Sequence, residues 1–556
     1  MSPRVKVFPG EKAVEVPEGS SLLEVLVSLG YFVESLCGGK GACGRCVVQV
    51  ISGCPPPAGK EKELLPEEAL DDGYRLACLV SVRDDIALRV PEAQPLIPDS
   101  WTQPFEEDEG SDTLKMLGSG GFCFLTGDTK IFLGRVPNAP VGIAVDGGTT
   151  SVEALFVDLW TGKVLNREVR LNRQSAVGAD VVSRIHFALA SPENAVKVRK
   201  LLIDTINECI SSFLKKSGLR EEDLVALSLS GNNFIVYSFL GMDLTPLSRH
   251  PFAPPFEETL TFDEEGLLPM NRSGPVILFP SPGAFVGGDA VAGSVSVGLE
   301  GEGSPAMFID VGTNTEIVLR AGEGVFVSSV PSGGAFEGAS IKCGMMAVAG
   351  AVSDVSFENG VSLTVVGGGE ARGISGSGLI SLVACLREAG ILDEKGTFLS
   401  RADARGKVPE RFLWRLSEIE GERVFLLTAG ERGKPPVYLT QGDVRNFQTA
   451  KSATRAGIEM ILKRAGLSAE EVERIYLAGS FGRSVSEDAL VKTGMFPQAF
   501  RGKVRRVGNA SLRGGYRVLT ERGFLRRAEA FSRRMTVVTL GGEKDFEEIF
   551  LRFLDF

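Results

Sequence analysis

The chain has 556 residues, 43% of them hydrophobic and 24% charged, a composition that excludes a disordered, collagen-like or disulfide-knotted protein. A formal net charge of −11 argues against nucleic acid as a main partner, because phosphate binding needs cations clustered on one face. No run approaches the roughly 18 consecutive apolar residues of a membrane span, and MSPRVKVFPG lacks the apolar stretch of a signal peptide, so the sequence reads as cytoplasmic with no membrane partner.

In RVKVFPGEKAVEVPEG, Val5 and Val7, then Val14 and Val16, alternate on either side of a Pro-Gly turn, which predicts a hairpin. A helix should follow. Ser21 and Glu24 have capping-box spacing, Leu22, Leu23, Val25 and Leu26 form an apolar face, and Gly30 is a natural stop. A cysteine-bearing loop and a returning strand at 47–51 complete an α+β unit over residues 3–90.

That loop, ESLCGGKGACGRCVVQV, holds Cys37, Cys43 and Cys46, with Cys78 in YRLACLV. The pattern is C-x5-C-x2-C…C. A planar two-iron rhomb needs four thiolates, and glycines around three of them let backbone N–H groups approach the sulfides. Buried cysteines acting as small hydrophobes would not be gathered in a glycine loop. Cys54 lies outside the pattern and reads as a loop thiol. Cys123, Cys209, Cys343 and Cys385 show no ligand spacing and read as buried small hydrophobes. His186 and His250 are the only histidines, so a His-rich metal centre or a Ser/His/Asp triad is not expected.

Residues 91–140 read as an acidic linker followed by a short connecting segment. Pro91 to Asp112 carries seven acids and no base, and such a stretch repels itself and cannot build a core. From 141 to 556, apolar strands alternate with helical patterns and Gly-rich turns, the rhythm of a layered α/β protein of two lobes, approximately 141–300 and 301–556. VGIAVDGGTTSVEALFVDL and AMFIDVGTNTEIVL echo one another as strand, Asp-x-Gly-Thr-type turn and strand, which predicts two similar halves.

In DGGTTS, Asp146 precedes Gly147, Gly148, Thr149 and Thr150. In DVGTNTE, Asp310 precedes Gly312, Thr313 and Asn314. A tight glycine turn between strands presents N–H groups and hydroxyls to phosphate oxygens, while the Asp holds hydrated Mg2+ at some remove. A third element, IYLAGSFG, carries Gly479, Ser480 and Gly482 in a turn where adenosine can lie against backbone. No G-x4-GK[ST] motif is present. Asp289 in VGGDAV is a candidate to orient the attacking water, with a helix N-cap as the plainer role. Lys451 reads as a solvated helix position. Arg501 to Met535 carries eleven bases and two acids; it reads as a solvated surface, with pairing to the acidic linker as the alternative.

The cysteine loop resembles the 2Fe-2S ferredoxin family over about residues 3–92, nearer in its first gap to the adrenodoxin branch. This likeness implies a β-grasp fold, with Cys37, Cys43, Cys46 and Cys78 as the cluster ligands. The order of the two Asp-Gly-Thr turns, the small-residue helix QTAKSATRAGIEMILKRAGL and IYLAGSFG resembles the actin-like (ASKHA) ATPases. GNNFIVYSFLGMDLTPLSRHPFAPPF, PGAFVGGDAVAG, PSGGAFEGASIKCGMMAVAGAV and ISGSGLISLVACLREAGILD, joined to a ferredoxin, resemble the reductive activators of corrinoid proteins. That resemblance implies a multidomain chain: a β-grasp 2Fe-2S domain, an acidic linker and a two-lobed ASKHA ATPase. The implied function is ATP-dependent electron transfer from the 2Fe-2S cluster to the Co(II) corrinoid of a methyltransferase partner, regenerating Co(I). The implied cofactors are the 2Fe-2S cluster, ATP and Mg2+, and an unidentified low-potential donor would feed the cluster.

Residues 113–140 are too few for the additional middle domain of larger members, and a homodimer is left open. Ser332, in a Gly-rich loop, is the candidate to touch the corrinoid. Three other classes compete: an ATP-binding redox sensor, a metabolite kinase of the same fold, and an activator of radical dehydratases. The last holds a 4Fe-4S cluster between subunits, which the four-cysteine ferredoxin pattern disfavours.

Overall fold

The alternation of Val5 and Val7 puts both side chains on one buried face of strand Arg4–Phe8, and that strand anchors the N-terminal sheet. It pairs antiparallel with Lys12–Glu15 and parallel with Ile86–Arg89. The sheet runs Lys12–Glu15, Arg4–Phe8, Ile86–Arg89, Val47–Ser52, Tyr74–Leu76. Helix Leu22–Ser28 buries Leu22, Leu23, Val25 and Leu26 against it, giving the expected β-grasp. Ser21 occupies the N-cap position of that helix, but its side chain makes no capping hydrogen bond. The computed structural model describes residues 2–556 except 9–11, 30, 32, 34, 36–38, 40, 42, 43, 45, 91–109, 117–121, 127, 128, 135–138, 264, 265, 272, 273, 302, 339, 359, 431–434, 480–484 and 541–543.

The acidic stretch 91–109 therefore lies outside the described residues, whereas the connecting segment after it is folded. Leu114–Met116, Phe122–Thr126 and Thr129–Gly134 form an antiparallel sheet, and buried Phe124 joins the core of the following domain. The Thr113 hydroxyl donates to the Leu519 carbonyl at 2.5 Å, and Arg522 N–H to Asp112 at 2.7 Å. FCFLT and TKIFL carry short continuous apolar runs of strand length, a signal that the acidic composition upstream masks.

The two echoing sequences form the cores of two matching sheets. In the first, Val141–Gly147 pairs antiparallel with Ser151–Asp158 and parallel with Leu224–Gly231. In the second, Ala306–Val311 pairs antiparallel with Thr315–Ala321 and parallel with Arg474–Ala478. Each sheet has six strands, so the duplication is one of topology as well as motif.

Two helices pack against each other between the sheets: Gly288–Ser296 and Ala510–Thr520. Their contact is backbone-close because a Cβ on Gly514 would lie 2.5 Å from the Ala292 carbonyl oxygen. Helix Ala510–Thr520 also reaches the first sheet, where Ser228 Oγ donates to the Gly515 carbonyl at 2.8 Å and Tyr516 donates to the Gly162 carbonyl at 2.9 Å. Residues 509–520 thus lie with the first lobe although they are late in the chain, and a division at residue 300 separates the lobes in sequence but not in space.

Other expectations are revised by burial and pairing. Lys451 is only 1% exposed; its ammonium donates to the Asp555 carbonyl and sits 5.0 Å from the Phe556 ring centroid, so it is not a solvated position. Cys123 and Cys209 are buried as expected and Cys54 is exposed, as a loop thiol would be, but Cys343 and Cys385 are only half-buried. Bases in the Arg501–Met535 stretch pair with acids of the same domain: Arg501 with Asp488 at 2.9 Å, Arg527 with Glu300 at 3.0 Å and Arg533 with Glu258 at 3.0 Å. Among the described residues no helix is long and apolar enough to cross a membrane.

Candidate nucleotide cleft and cluster loop

Strands Val141–Gly147 and Ala306–Val311 end at the same cleft and carry their turns into it. The first turn closes through Gly148 N–H to Ser151 C=O at 2.9 Å, the second through Gly312 N–H to Asn314 C=O at 3.1 Å. Glycine is required by space at two points. A Cβ on Gly148 would meet the Ser151 carbonyl oxygen at 2.7 Å, and Gly479, with φ of 103°, lies where a Cβ would be 2.4 Å from the Val311 carbonyl oxygen. Asp146, Gly147, Gly148, Thr149, Thr150, Asp289, Asp310, Gly312, Thr313, Asn314 and Gly479 line one cavity. Ser480 and Gly482 lie outside the described residues.

The cavity is strongly acidic. Burial pushes the Asp310 carboxyl up to about 8, with Asp146 and Asp289 adding to the rise. Asp146 rises to about 7 by burial, against hydrogen bonds from Asn509 and Ser511. Burial raises Asp289 to about 6, opposed by backbone N–H groups at its helix N-terminus, and raises Glu316 well above the carboxylate range. Crowded buried carboxyls of this kind favour a divalent cation. Among the described residues no group of three His, Cys, Asp or Glu side chains is arranged to enclose a metal ion. Asp289 accepts from Ala290 N–H at 2.8 Å and lines the cleft; it stands at the second position of its helix, whose N-cap is Gly287, so it is not the N-cap.

Several cleft residues are not apparent from the motifs. Asn509 donates to Asp146 at 2.8 Å and to Glu153 at 2.9 Å, and Ser511 donates to the other Asp146 oxygen at 2.8 Å. Asn509 also caps helix Ala510–Thr520 by accepting from Leu512 N–H, and an N-cap asparagine in GNAS is the one local signal that could have found it. Glu337, in the short helix Gly334–Glu337, accepts hydrogen bonds from both phosphate-turn hydroxyls, Thr150 at 3.0 Å and Thr313 more closely. No spacing rule pointed to it, because its partners come from turns far away in the chain.

Ser332 is 4% exposed, with its hydroxyl 2.6 Å from Thr315 Oγ1 and 3.3 Å from Thr454 Oγ1. Its oxygen is spent on the domain interior and is not presented to a docked macrocycle, which corrects the expectation that it touches the corrinoid.

In the N-terminal domain, Cys46 and Cys78 bring their sulfurs within 3.2 Å of each other, close enough to share one iron. The hydrogen bond with Cys46 is the largest influence holding the Cys78 thiol down at about 7, and a lowered thiol is readier to ligate as thiolate. Gly39, Gly41 and Gly44 have φ of 80°, 67° and 67°, the left-handed backbone that lets a loop fold around a small inorganic core. The described half of the loop fits a 2Fe-2S cluster; Cys37 and Cys43 lie outside the described residues.

A short helix, Arg173–Ala176, joins the two sites. Before it, Asn172 donates to the Gly148 carbonyl at 2.9 Å. At its end Ala176 packs into the ferredoxin-type core, with its carbonyl 3.5 Å from where a Gly39 Cβ would lie.

Comparison with known proteins agrees with this layout. The 2Fe-2S iron-sulfur cluster binding domain family matches residues 5–83, the RACo middle region matches 141–302, and the C-terminal ASKHA domain of RACo matches 304–556. The middle-region match falls on the first lobe, beyond residues 113–140. Corrinoid activation enzyme RamQ of Eubacterium limosum is 28% identical over 97% of each chain. The [Co(II) methylated amine-specific corrinoid protein] reductase of Methanosarcina barkeri is 22% identical over 67% of this chain and 68% of its own. A solved structure described as a reductive activator for corrinoid,iron-sulfur protein has a TM-score of 0.72 at 28% identity, covering 99% of this chain and 97% of its own.

Proposed function

The chain belongs to the reductive activators of corrinoid proteins, and from that premise we propose that it uses ATP to drive an electron from a 2Fe-2S cluster onto the inactive Co(II) corrinoid of a methyltransferase partner, restoring Co(I). The cluster, held by Cys37, Cys43, Cys46 and Cys78, supplies one electron at a time. Plant-type 2Fe-2S centres lie near −400 mV, and each ~59 mV of one-electron shortfall costs a factor of ten in equilibrium. Delivery to a lower-potential cobalt therefore needs an added source of free energy.

The cleft is suited to provide it. Asp146 and Asp310 would hold hydrated Mg2+, with Asn509 and Ser511 fixing the orientation of Asp146. Hydroxyls of Thr149, Thr150 and Thr313 and the N–H groups of the glycine turns receive phosphate oxygens. Asp289 orients the attacking water. Because the turns come from different lobes, a bound nucleotide bridges them and favours the closed arrangement, which is how binding becomes a change of shape.

One observation carries the reading: two Asp-x-Gly-Thr turns from separate sheets meet in a single acidic cleft, in a chain that also carries the ferredoxin pattern of a three-cysteine loop and a distant fourth cysteine. The test is anaerobic mixing of the chemically reduced protein with a Co(II) corrinoid protein. Co(I) absorbance should appear with Mg-ATP and stay absent without it. ATP turnover without Co(I) for any corrinoid protein, stimulated instead by a small metabolite, would favour a kinase.

A further inference from the structure

Glu337 stands where the two phosphate turns meet. Its carboxylate oxygen Oε2 takes the hydroxyl hydrogens of Thr150, from the first sheet, and Thr313, from the second. A threonine hydroxyl has one hydrogen to donate, so neither residue can serve Glu337 and a nucleotide phosphate at once. The carboxylate and the phosphate are also both anions in a cleft already lined by Asp146, Glu153, Asp289, Asp310 and Glu316, so close coexistence is repulsive. A second observation lies nearby. Arg184 is 1% exposed, its Nε donates to the Gly178 carbonyl at 2.8 Å, and its Nη1 has no hydrogen-bond partner. Glu337 and Asp180 are the charges that attract this guanidinium. A buried guanidinium nitrogen without an acceptor is costly.

We infer that Glu337 is an internal anion that competes with a nucleotide phosphate for the hydroxyls of Thr150 and Thr313, and that nucleotide displaces it from both toward the unpaired nitrogen of Arg184. This deepens the proposed function and rests on ATP being the ligand of the cleft. Phe336 anchors the short helix edge-on against Phe447 at 6.2 Å, and Gly333 and Gly338 flank it with φ of 75° and 78°. The displaced carboxylate thereby sets how tightly ATP is held and keeps the cleft from closing on weaker anions such as inorganic phosphate.

The test is ATP affinity by calorimetry on the whole protein, for wild type, Glu337→Gln, Arg184→Met and the double variant, with melting temperature and cluster absorbance checking the fold. Removing the competing charge in Glu337→Gln should tighten ATP binding by roughly tenfold, the scale of one partly screened charge interaction. Removing the destination in Arg184→Met should weaken binding, and the double variant should behave like Glu337→Gln alone, since no exchange remains. Unchanged or weaker ATP binding by a folded Glu337→Gln protein overturns the inference. Unchanged affinity with turnover lost by about a hundredfold or more overturns it in favour of a catalytic carboxylate. If wild type binds no nucleotide, the proposed function falls and this inference with it; if wild type binds and the variants do not differ, the inference falls alone.

Discussion

Cys78 and Lys451 show how packing converts an ordinary side chain into a specialised one. Cys78 lies thirty-two positions beyond Cys46 and still brings its sulfur to 3.2 Å, because Val47–Ser52 and Tyr74–Leu76 pair in register, Val47 opposite Leu76. Cys78→Ser should abolish the 2Fe-2S absorbance while leaving ATP binding intact; retention of a normal visible spectrum would remove Cys78 from the ligand set. Lys451 is held below its usual 10.5, at about 8, by burial, with Arg455 and Arg387 adding and Asp555 opposing. Between about pH 8 and 10.5 the unfolded chain keeps a proton at this lysine that the folded chain has released, so stability from this group rises with pH across that window. Below pH 8 the folded protein bears the charged, buried form at a cost of about 3 kcal/mol. Comparing melting temperatures of wild type and Lys451→Met from pH 7 to 10.5 checks this: the advantage of the variant should shrink as pH rises, and a constant difference would contradict it.

At the scale of elements, the contact of helices Gly288–Ser296 and Ala510–Thr520 ties the first lobe to the end of the chain. A methyl at Gly514 has no room beside Ala292, so Gly514→Ala should cost about 1–3 kcal/mol by overpacking and lower the melting temperature measurably; a neutral result would mean that the helices part easily. How much of this arrangement the sequence discloses depends on whether the signal is local. Hairpins, the β-grasp helix and both phosphate turns are legible because alternation, capping spacing and Asp-Gly turns act within a few residues. The approach of Cys46 and Cys78 is legible because ligand chemistry restricts cysteine spacing. Asn509, Ser511 and Glu337 are not, because each acquires its role from a partner hundreds of residues or a whole lobe away. Ser332 misleads for the converse reason: a serine among glycines looks exposed, whereas helix Gln441–Ala465 covers it and supplies Thr454 as a partner. The return of residues 509–520 to the first lobe is a matter of topology, which no local pattern records.

For the whole molecule, the ferredoxin-type domain sits against the first lobe through Ala176. The ion pair of Lys197 and Glu24 at 2.7 Å joins the same surfaces, but both side chains are more than a third exposed, and such pairs contribute little. The apolar seat of Ala176 is therefore the stronger part of the contact, and its short helix begins beside the first phosphate turn. Ala176→Arg should keep the cluster spectrum and nucleotide binding while slowing ATP-coupled cobalt reduction by about tenfold, the effect of ~1.4 kcal/mol on the productive arrangement. A normal reduction rate would show that this contact does not matter for electron delivery.

The central claim is that the cleft governs electron delivery from the cluster, and Asp310→Asn isolates it because the change removes an ionisable carboxyl from the cleft with little change of volume. Co(I) formed per reduced cluster should be measured anaerobically with a Co(II) corrinoid protein for wild type without nucleotide, wild type with Mg-ATP, and Asp310→Asn with Mg-ATP. The account predicts substantial Co(I) only for wild type with Mg-ATP, with the variant's cluster intact and reducible. Equal Co(I) in all three samples would contradict it, because the electron would then reach cobalt without the nucleotide cleft.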